Sequence, residues 1–407
     1  MSKYLHGILQ KLKDNALIRK DIRSFLEFGI GYALMLAINL LVAREINRAL
    51  TKEEMGRFSF ISSLVLLLIP MVTFSAQQAY IRFQKEHQIS SVLRKFLLPF
   101  FWGASLILAV LVFYLTRSWW AVLYACMPLF VEKTCLLRCQ LCIGRMNVLQ
   151  ILSQLVILTA LLAGSRYFKF TADIVLGVYG MSYLTAVFFQ PRKFSDDEVK
   201  KRDVLRYLCP IVFTMLCSDF LSNCAVVITK CFFDEVTVGT MGVAVRTALV
   251  CSCVFTFFMM FYPLIYMREA AKNNFKLIVL YRRVIMLIAL VLFAVMVLCC
   301  KYIYLILGAG KYLDSIMLFV ILAGAMLFNF IADIYWLYFN YEIKTWKNML
   351  LKFSSCLIVL AGVWAVPYLG VYYIGILLLT ATAVPALIGA VLALHKERCH
   401  IRNIKHS

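Results

Sequence analysis

Charge is what this chain has least of. Only 15% of its 407 residues are charged, and its acids number 21 against 42 Lys and Arg. Soluble domains carry about a quarter. With a mean hydropathy of +0.85, the apolar segments cannot all be buried in one water-soluble core, so the chain belongs in a membrane. The sequence also lacks the phosphate-cradling G-x-x-x-x-G-K-[ST], the zinc-binding H-E-x-x-H and the nucleophile-bearing G-x-S-x-G. Without them there is no sign of an enzyme, and ATP hydrolysis would need a partner. It has no soluble basic domain, so the net charge of +21 points to anionic headgroups and not to nucleic acid.

Apolar stretches of about 17 to 25 residues, long enough to cross about 30 Å of hydrocarbon, are what the chain has in place of these. Twelve are expected: 25–43, 58–79, 96–115, 119–131, 146–163, 171–189, 208–229, 238–266, 284–300, 316–338, 349–368 and 371–394. The fourth is short and is expected to continue toward Leu137, with Glu132 and Lys133 facing protein or water. The first 24 residues carry six Lys and Arg and no early apolar core, which reads as a cytoplasmic flank and not a signal peptide. With that flank inside, alternate connectors hold 30 Lys and Arg inside against 10 outside. Both termini are therefore expected in the cytoplasm.

Fourteen cysteines lie almost entirely in apolar runs or on the expected cytoplasmic side, where thiols stay reduced. "CQLC", Cys139 to Cys142, has no second ligand pair and reads as packing, not as a metal site.

The connector 190–207 divides the spans six and six. An even number of spans per half implies two bundles in the same orientation, 25–189 and 208–394, flanked by tails 1–24 and 395–407. Between the first two spans lies "LVAREINRALTKEEMGRFSF", Leu41 to Phe60. At a shift of 186, "LVAR" falls on "VITK" (Val227 to Lys230) and Gly56 on Gly242, and both stretches cross an outward connector containing paired acids.

The "REI" of that stretch, followed by Gly56-Arg57-Phe58 and then by "QQAYIRF", resembles the first two helices of the Wzx-type lipid-linked oligosaccharide flippases. These O-antigen exporters belong to the multidrug/oligosaccharidyl-lipid/polysaccharide (MOP) superfamily. "FFDEVTVGTMGVAVRTAL" and "YLILGAGKYLDSIMLFVIL" are similar to the family's eighth and tenth helices with their outward loops. The resemblance implies an all-α membrane protein with two six-helix bundles around a central cavity. It also implies transport of an undecaprenyl-pyrophosphate-linked oligosaccharide across the bacterial cytoplasmic membrane. The partners so implied are the lipid-linked cargo, membrane lipids, a polysaccharide polymerase and a chain-length regulator. No cofactor is expected beyond a coupling Na+ or H+. A multidrug cation exporter on the same fold is the rival. A peptidoglycan lipid flippase is a further one, but the basic residues of that family's first helix have no counterpart between Phe28 and Ala43.

Polar residues within the apolar runs mark where a cavity would lie, because an ionisable side chain costs a few kcal/mol in lipid. "CSDFLSN" places Asp219 and Asn223 one turn apart near mid-depth. Asn329 and Asp333 repeat the spacing in the tenth span, with Trp336 three residues on, and Asn147, Gln150 and Gln154 form a stripe in the fifth. The competing reading is that such groups only join neighbouring helices. Arg246 lies about 12 Å below the outer boundary, where its guanidinium could pair bidentately with a pyrophosphate or snorkel outward. Arg44, Arg82 and Lys230 lie near span ends, as substrate contacts or as interfacial anchors. Pro70 is read as a hinge or a fixed kink in the second span.

Overall fold

The computed structural model describes residues 16–406, apart from 84–87, 141, 166, 191–193, 198, 272–273 and 342–344. It is an all-α membrane protein. The first bundle comprises α1 (Ala16–Ala49), α2 (Lys52–Val72), α3 (Ala76–Phe83), α4 (Ser91–Thr116), α5 (Met127–Cys139), α6 (Ile143–Gly164) and α7 (Ala172–Leu184). The second comprises α8 (Lys201–Phe232), α9 (Glu235–Ala271), α10 (Phe275–Leu298), α11 (Cys300–Ile306), α12 (Ile316–Tyr341), α13 (Thr345–Gly362), α14 (Val366–Leu369) and α15 (Val371–His406). Among the described residues nine helices are long and apolar enough to cross a membrane, and Ala172–Phe188 is a shorter apolar one. Each of the twelve expected spans has a helical counterpart. Large apolar side chains such as Leu106, Val110, Leu287 and Val391 are exposed on the outer faces of the helices, where lipid would cover them. By the Lys/Arg asymmetry, the end bearing the α1–α2 and α8–α9 turns is called outer.

Several expected spans are broken into pieces, three of them as follows. The fourth begins as a 3-10 turn, Ala121–Cys126, and continues as α5 beyond Leu137. Glu132 faces protein, as expected: it is buried and accepts from Arg94 Nε at 3.3 Å. In the second span Pro70 does more than bend the helix. The helix ends at Val72, Phe74 and Ser75 adopt positive φ (52° and 47°), and α3 starts anew. Proline removes a backbone donor, and the break is closed locally by Ser75 N donating to the Pro70 carbonyl. In the eleventh span, a 3-10 turn, Val363–Ala365, and the short α14 follow α13. The first turns of α8, Lys201 to Tyr207, are helical although the sequence reads as connector. They remain with the first bundle, where Val204 and Leu208 pack among Tyr80, Phe101 and Leu136.

The duplication is visible in the helix ends. α1 and α8 end at Ala49 and Phe232, and α2 and α9 begin at Lys52 and Glu235; both pairs are 183 residues apart. The shift of 186 read from the sequence is therefore corrected by three residues. A slip of three is almost one helical turn, so residues keep nearly the same face and the wrong register looks plausible.

Candidate functional site

The two bundles meet at the outer end through the starts of α2 and α9. Thr51 and Asp234 cap these helices, accepting from Glu54 N and Thr237 N, both at 3.2 Å. Just inside, the helices touch backbone to backbone. A methyl group on Gly56 would lie 2.1 Å from the Glu235 carbonyl oxygen, and one on Gly239 2.2 Å from the Lys52 carbonyl oxygen. One turn deeper, Gly242 lies against Ser59. Gly56 faces Gly239 and Ser59 faces Gly242, each pair 183 residues apart, as expected where a twofold relation passes between parallel helices.

The loop before α12 seals the same end. Asn47 Nδ2 donates to the Leu307 carbonyl at 2.9 Å, Lys311 Nζ donates to the Leu50 carbonyl, and Lys52 pairs with Asp314 at 3.7 Å. Gly308 turns this loop with φ of 63° and lies against Arg44. Val238 and Met241 of α9 share one apolar core with Phe58 and Ile61 of α2. The outer end is closed.

Beneath this closure lies Arg246. Helix α9 begins at Glu235, three residues before the expected span, which puts Arg246 about 16 Å from the helix start. Snorkelling to the outer interface is correspondingly harder. Its guanidinium lies 4.0 Å from the Phe58 ring centroid, and Nη2 donates to Ser62 Oγ at 3.2 Å. Tyr124, Tyr179 and Tyr312 are close enough to act on it electrostatically. Tyr124, Tyr179 and Tyr183 form one ring cluster with centroids 5.8 to 6.4 Å apart, joined to Phe58 by Tyr179 at 5.9 Å. No carboxylate pairs with Arg246 among the described residues. The site is a cation in an aromatic cage, assembled from both bundles.

A second polar centre lies inside the second bundle. Lys352 on α13 donates to Ser218 Oγ at 2.6 Å, pairs with Asp333 at 3.3 Å and lies 5.9 Å from the Trp336 ring centroid. Asp219, about 20 Å from the outer end of α8, is near enough to feel the Lys352 charge. Asn223 donates to the Asp219 carbonyl at 3.0 Å, so its amide serves its own helix. A small cleft of about 30 Å³ lies among α8, α9, α12 and α15, with Ser222, Asn329 and Thr382 as its polar lining. Asp219 and Asp333 thus lie beside a lysine to which the sequence reading gave no role, and Asn329 lines the cleft in the same bundle. Lys352 is three residues inside an expected apolar run; that was the available signal.

The other candidates disperse. Lys230 pairs with Glu235 across the α8–α9 turn, an anchoring role. Arg82 is exposed beside Tyr207 at the opposite end of the first bundle. Arg44 is half-buried, and its Nε has no hydrogen-bond partner. Asn147 fills the space over Gly31 on α1, a helix-joining position. Gln150 is half-buried, and Gln154 Oε1 is buried without a partner. The side chains of Phe58 and the three tyrosines are the part of the Arg246 site that sequence reasoning missed. No His, Cys, Asp or Glu cluster suited to a metal occurs among the described residues. Cys135 Sγ donates to the Gln77 carbonyl at 3.3 Å, which is packing use of a thiol.

No protein-family model matches the sequence, and no curated protein does. Solved structures do match. An inward-facing multidrug resistance MATE family transporter of the MOP superfamily superposes with a TM-score of 0.66 at 13% identity, covering 90% of this chain and 95% of its own. A MOP superfamily transporter from Pyrococcus furiosus gives 0.64 at 14% identity, covering 92% and 95%; a reversed polarity of its binding pocket is said to suggest a different function. An outward-facing MATE transporter gives 0.57 at 12% identity, covering 92% and 96%. These likenesses establish the fold, twelve membrane helices in two bundles, as that of the MOP superfamily transporters.

Proposed function

We propose that the chain is a flippase, which carries an undecaprenyl-pyrophosphate-linked oligosaccharide, an O-antigen or capsular repeat unit, across the bacterial cytoplasmic membrane by alternating access. The observation that carries this reading is the state of Arg246. A guanidinium held deep between two bundles without a carboxylate is costly until an anion arrives. A pyrophosphate offers oxygens to both edges of the guanidinium fork. The tyrosine rings beside it present flat apolar faces with hydroxyl edges, suited to the alternating apolar and polar surfaces of a sugar. The flipped product would pass to a polymerase and a chain-length regulator.

Coupling falls to the second polar centre. Lys352 pairs with Asp333 and lies within electrostatic reach of Asp219, so one negative charge is left over when all three are ionised. A proton or Na+ taken up there would neutralise it, and Lys352 would re-pair when that ion leaves.

The second reading is export of cationic drugs. Likeness to MATE multidrug transporters fits it at least as well, and the acids of the second bundle favour it. For the Pyrococcus furiosus neighbour a reversed pocket polarity is taken to suggest a different function, and here too the charge at the cavity is the feature to test. The test uses proteoliposomes loaded separately with a fluorescent glycan-bearing isoprenyl pyrophosphate and with a cationic dye. Arg246→Ala should slow glycolipid flipping about 10- to 100-fold, the loss of one charged hydrogen-bonding anchor, and Arg246→Lys should restore part of it. Unchanged flipping in the Ala variant would refute the pyrophosphate role, and dye transport by the wild type without glycolipid flipping would establish the exporter.

A further inference from the structure

Away from the cavity between the bundles, a groove of about 430 Å³ runs along the outer face of the second bundle between α10, α12 and α15. Its composition divides along its length. At the inner end, near the start of α10, stand Arg282 and Arg283, with Tyr335 of α12 and Leu394 of α15; farther along are Leu287 and Leu290. Arg282 is almost wholly buried and its guanidinium lies 4.6 Å from the Tyr335 ring centroid, which fixes its place. Arg283 is exposed and has no acidic partner among the described residues. No acid lines the groove.

The helical repeat explains the layout. Arg283, Leu287 and Leu290 recur at spacings of four and three and share one face of α10. From Arg283 to Leu290 that face runs about 10 Å along the helix. Leu287 and Leu290 are both open to the surroundings, which at this depth are acyl chains. A cationic head followed by an apolar trough is complementary to an amphiphile with a negative head.

We propose that this groove binds an anionic phospholipid, its phosphodiester held by the exposed Arg283 and one acyl chain lying along Leu287 and Leu290. Lys and Arg at the inner ends of the helices face the leaflet in which anionic headgroups raise the local negative potential. The exposed Arg283 guanidinium offers an edge to the phosphate. A lipid seated there bridges α10 to α12 and α15, so membrane composition acts on the second bundle without entering the cavity. The cavity reading could fail and this site would stand, because the two share no residue.

Native mass spectrometry of the full chain, released from micelles doped with phosphatidylglycerol or phosphatidylcholine, tests the site. The wild type should retain phosphatidylglycerol in preference. Arg283→Gln, at an exposed position that folding tolerates, should weaken retention about fivefold, and Arg283→Lys should keep most of it. Leu287→Trp should reduce retention by filling the trough while leaving the charge in place. Equal retention of the two phospholipids, or unchanged retention in Arg283→Gln, would overturn the proposal. Displacement of phosphatidylglycerol by an isoprenyl pyrophosphate but not by inorganic pyrophosphate would overturn it too, by assigning the groove to the cargo lipid.

Discussion

Replacing Gly56 by Ala should hold the outer end open. The added methyl would lie 2.1 Å from the Glu235 carbonyl oxygen, and the next backbone atoms, Glu235 C and Gly239 N, are at 3.0 and 3.1 Å. These are main-chain atoms of the other bundle, so no rotamer change relieves the clash. Ordinary contact needs about 3.4 Å, hence α2 and α9 must separate by about 1 Å at a junction that also carries the Val238, Met241 and Phe58 core. Overpacking of this kind costs about 1 to 3 kcal/mol. The cost falls only on the outer-closed state, because separated bundles leave room for the methyl. The equilibrium should therefore shift toward outward-open about 5- to 150-fold. Within each helix the change is mildly favourable, since Ala exceeds Gly in helix propensity by about 1 kcal/mol.

Spin labels at Glu53→Cys and at the exposed Cys231, with the other cysteines replaced, would report the separation by pulsed electron resonance. The expected result is a longer-distance component in Gly56→Ala and in Gly239→Ala, with slower transport because closure limits the cycle. Gly103→Ala is the control, since nothing lies within 4 Å of its added methyl. An unchanged distance distribution in both gate variants would refute the account of the closed end.

Lys352→Met should leave Asp219 and Asp333 without their cation and destabilise the second bundle by about 1 to 3 kcal/mol, discounted because Asp333 is partly exposed; Lys352→Met with Asp333→Asn should recover melting temperature but not transport, and full transport by the single variant would remove Lys352 from the coupling scheme. Asp219→Asn should abolish ion-driven transport at normal abundance in the membrane, checked by immunoblot and flux together. Hydrogen bonds from the Thr237 side chain and backbone hold the Asp234 carboxyl below its ordinary value of 3.8. A depressed carboxylate stabilises above its unfolded value and loses that contribution as pH falls through the folded one, so Asp234→Asn should narrow the gap in outer-end stability between pH 7 and pH 3 measured by hydrogen exchange. A reporter active only outside the cytoplasm should be silent when fused after Lys201 and active after Ala309; the opposite pattern would invert the orientation.

Spans were legible because length and apolarity are one-dimensional properties, and twelve runs became twelve passes. Breaks inside them were not. Pro70 announced a disturbance, but whether a helix bends or stops depends on whether Phe74 and Ser75 can hold positive φ, and neither residue type suggests it. The repeat was legible as a fact and misread in register, since the two halves share too few side chains to tell 183 from 186. Helix starts settle it, because caps at Thr51 and Asp234 use different side chains for the same hydrogen bond.

The polar centres differ in legibility for a reason that bears on mechanism. Arg246 stood out because nothing else in its helix is charged at that depth, and a lone charge in an apolar run has to be functional or paired. Its partners, Phe58, Tyr124 and Tyr179, are what membrane helices contain anyway, so sequence could not tell a cage from a core. Lys352 was hidden by its position near a span end, where a lysine is ordinarily an anchor. The structure turns it inward to Asp333 and Ser218. The outcome separates the two centres by kind. Arg246 is held by residues of both bundles and must lose Phe58 and Ser62 when the outer end opens, whereas Lys352, Asp333 and Asp219 belong to one bundle and can stay together throughout. On the proposed reading, a cargo bound at Arg246 would therefore sense the access state directly. An ion bound near Lys352 influences it only by reshaping α8, α12 and α13 from within. The two effects are separable: Arg246→Ala should change cargo affinity with the ion dependence intact, and Lys352→Met should alter the ion dependence while leaving cargo binding in a fixed state unchanged.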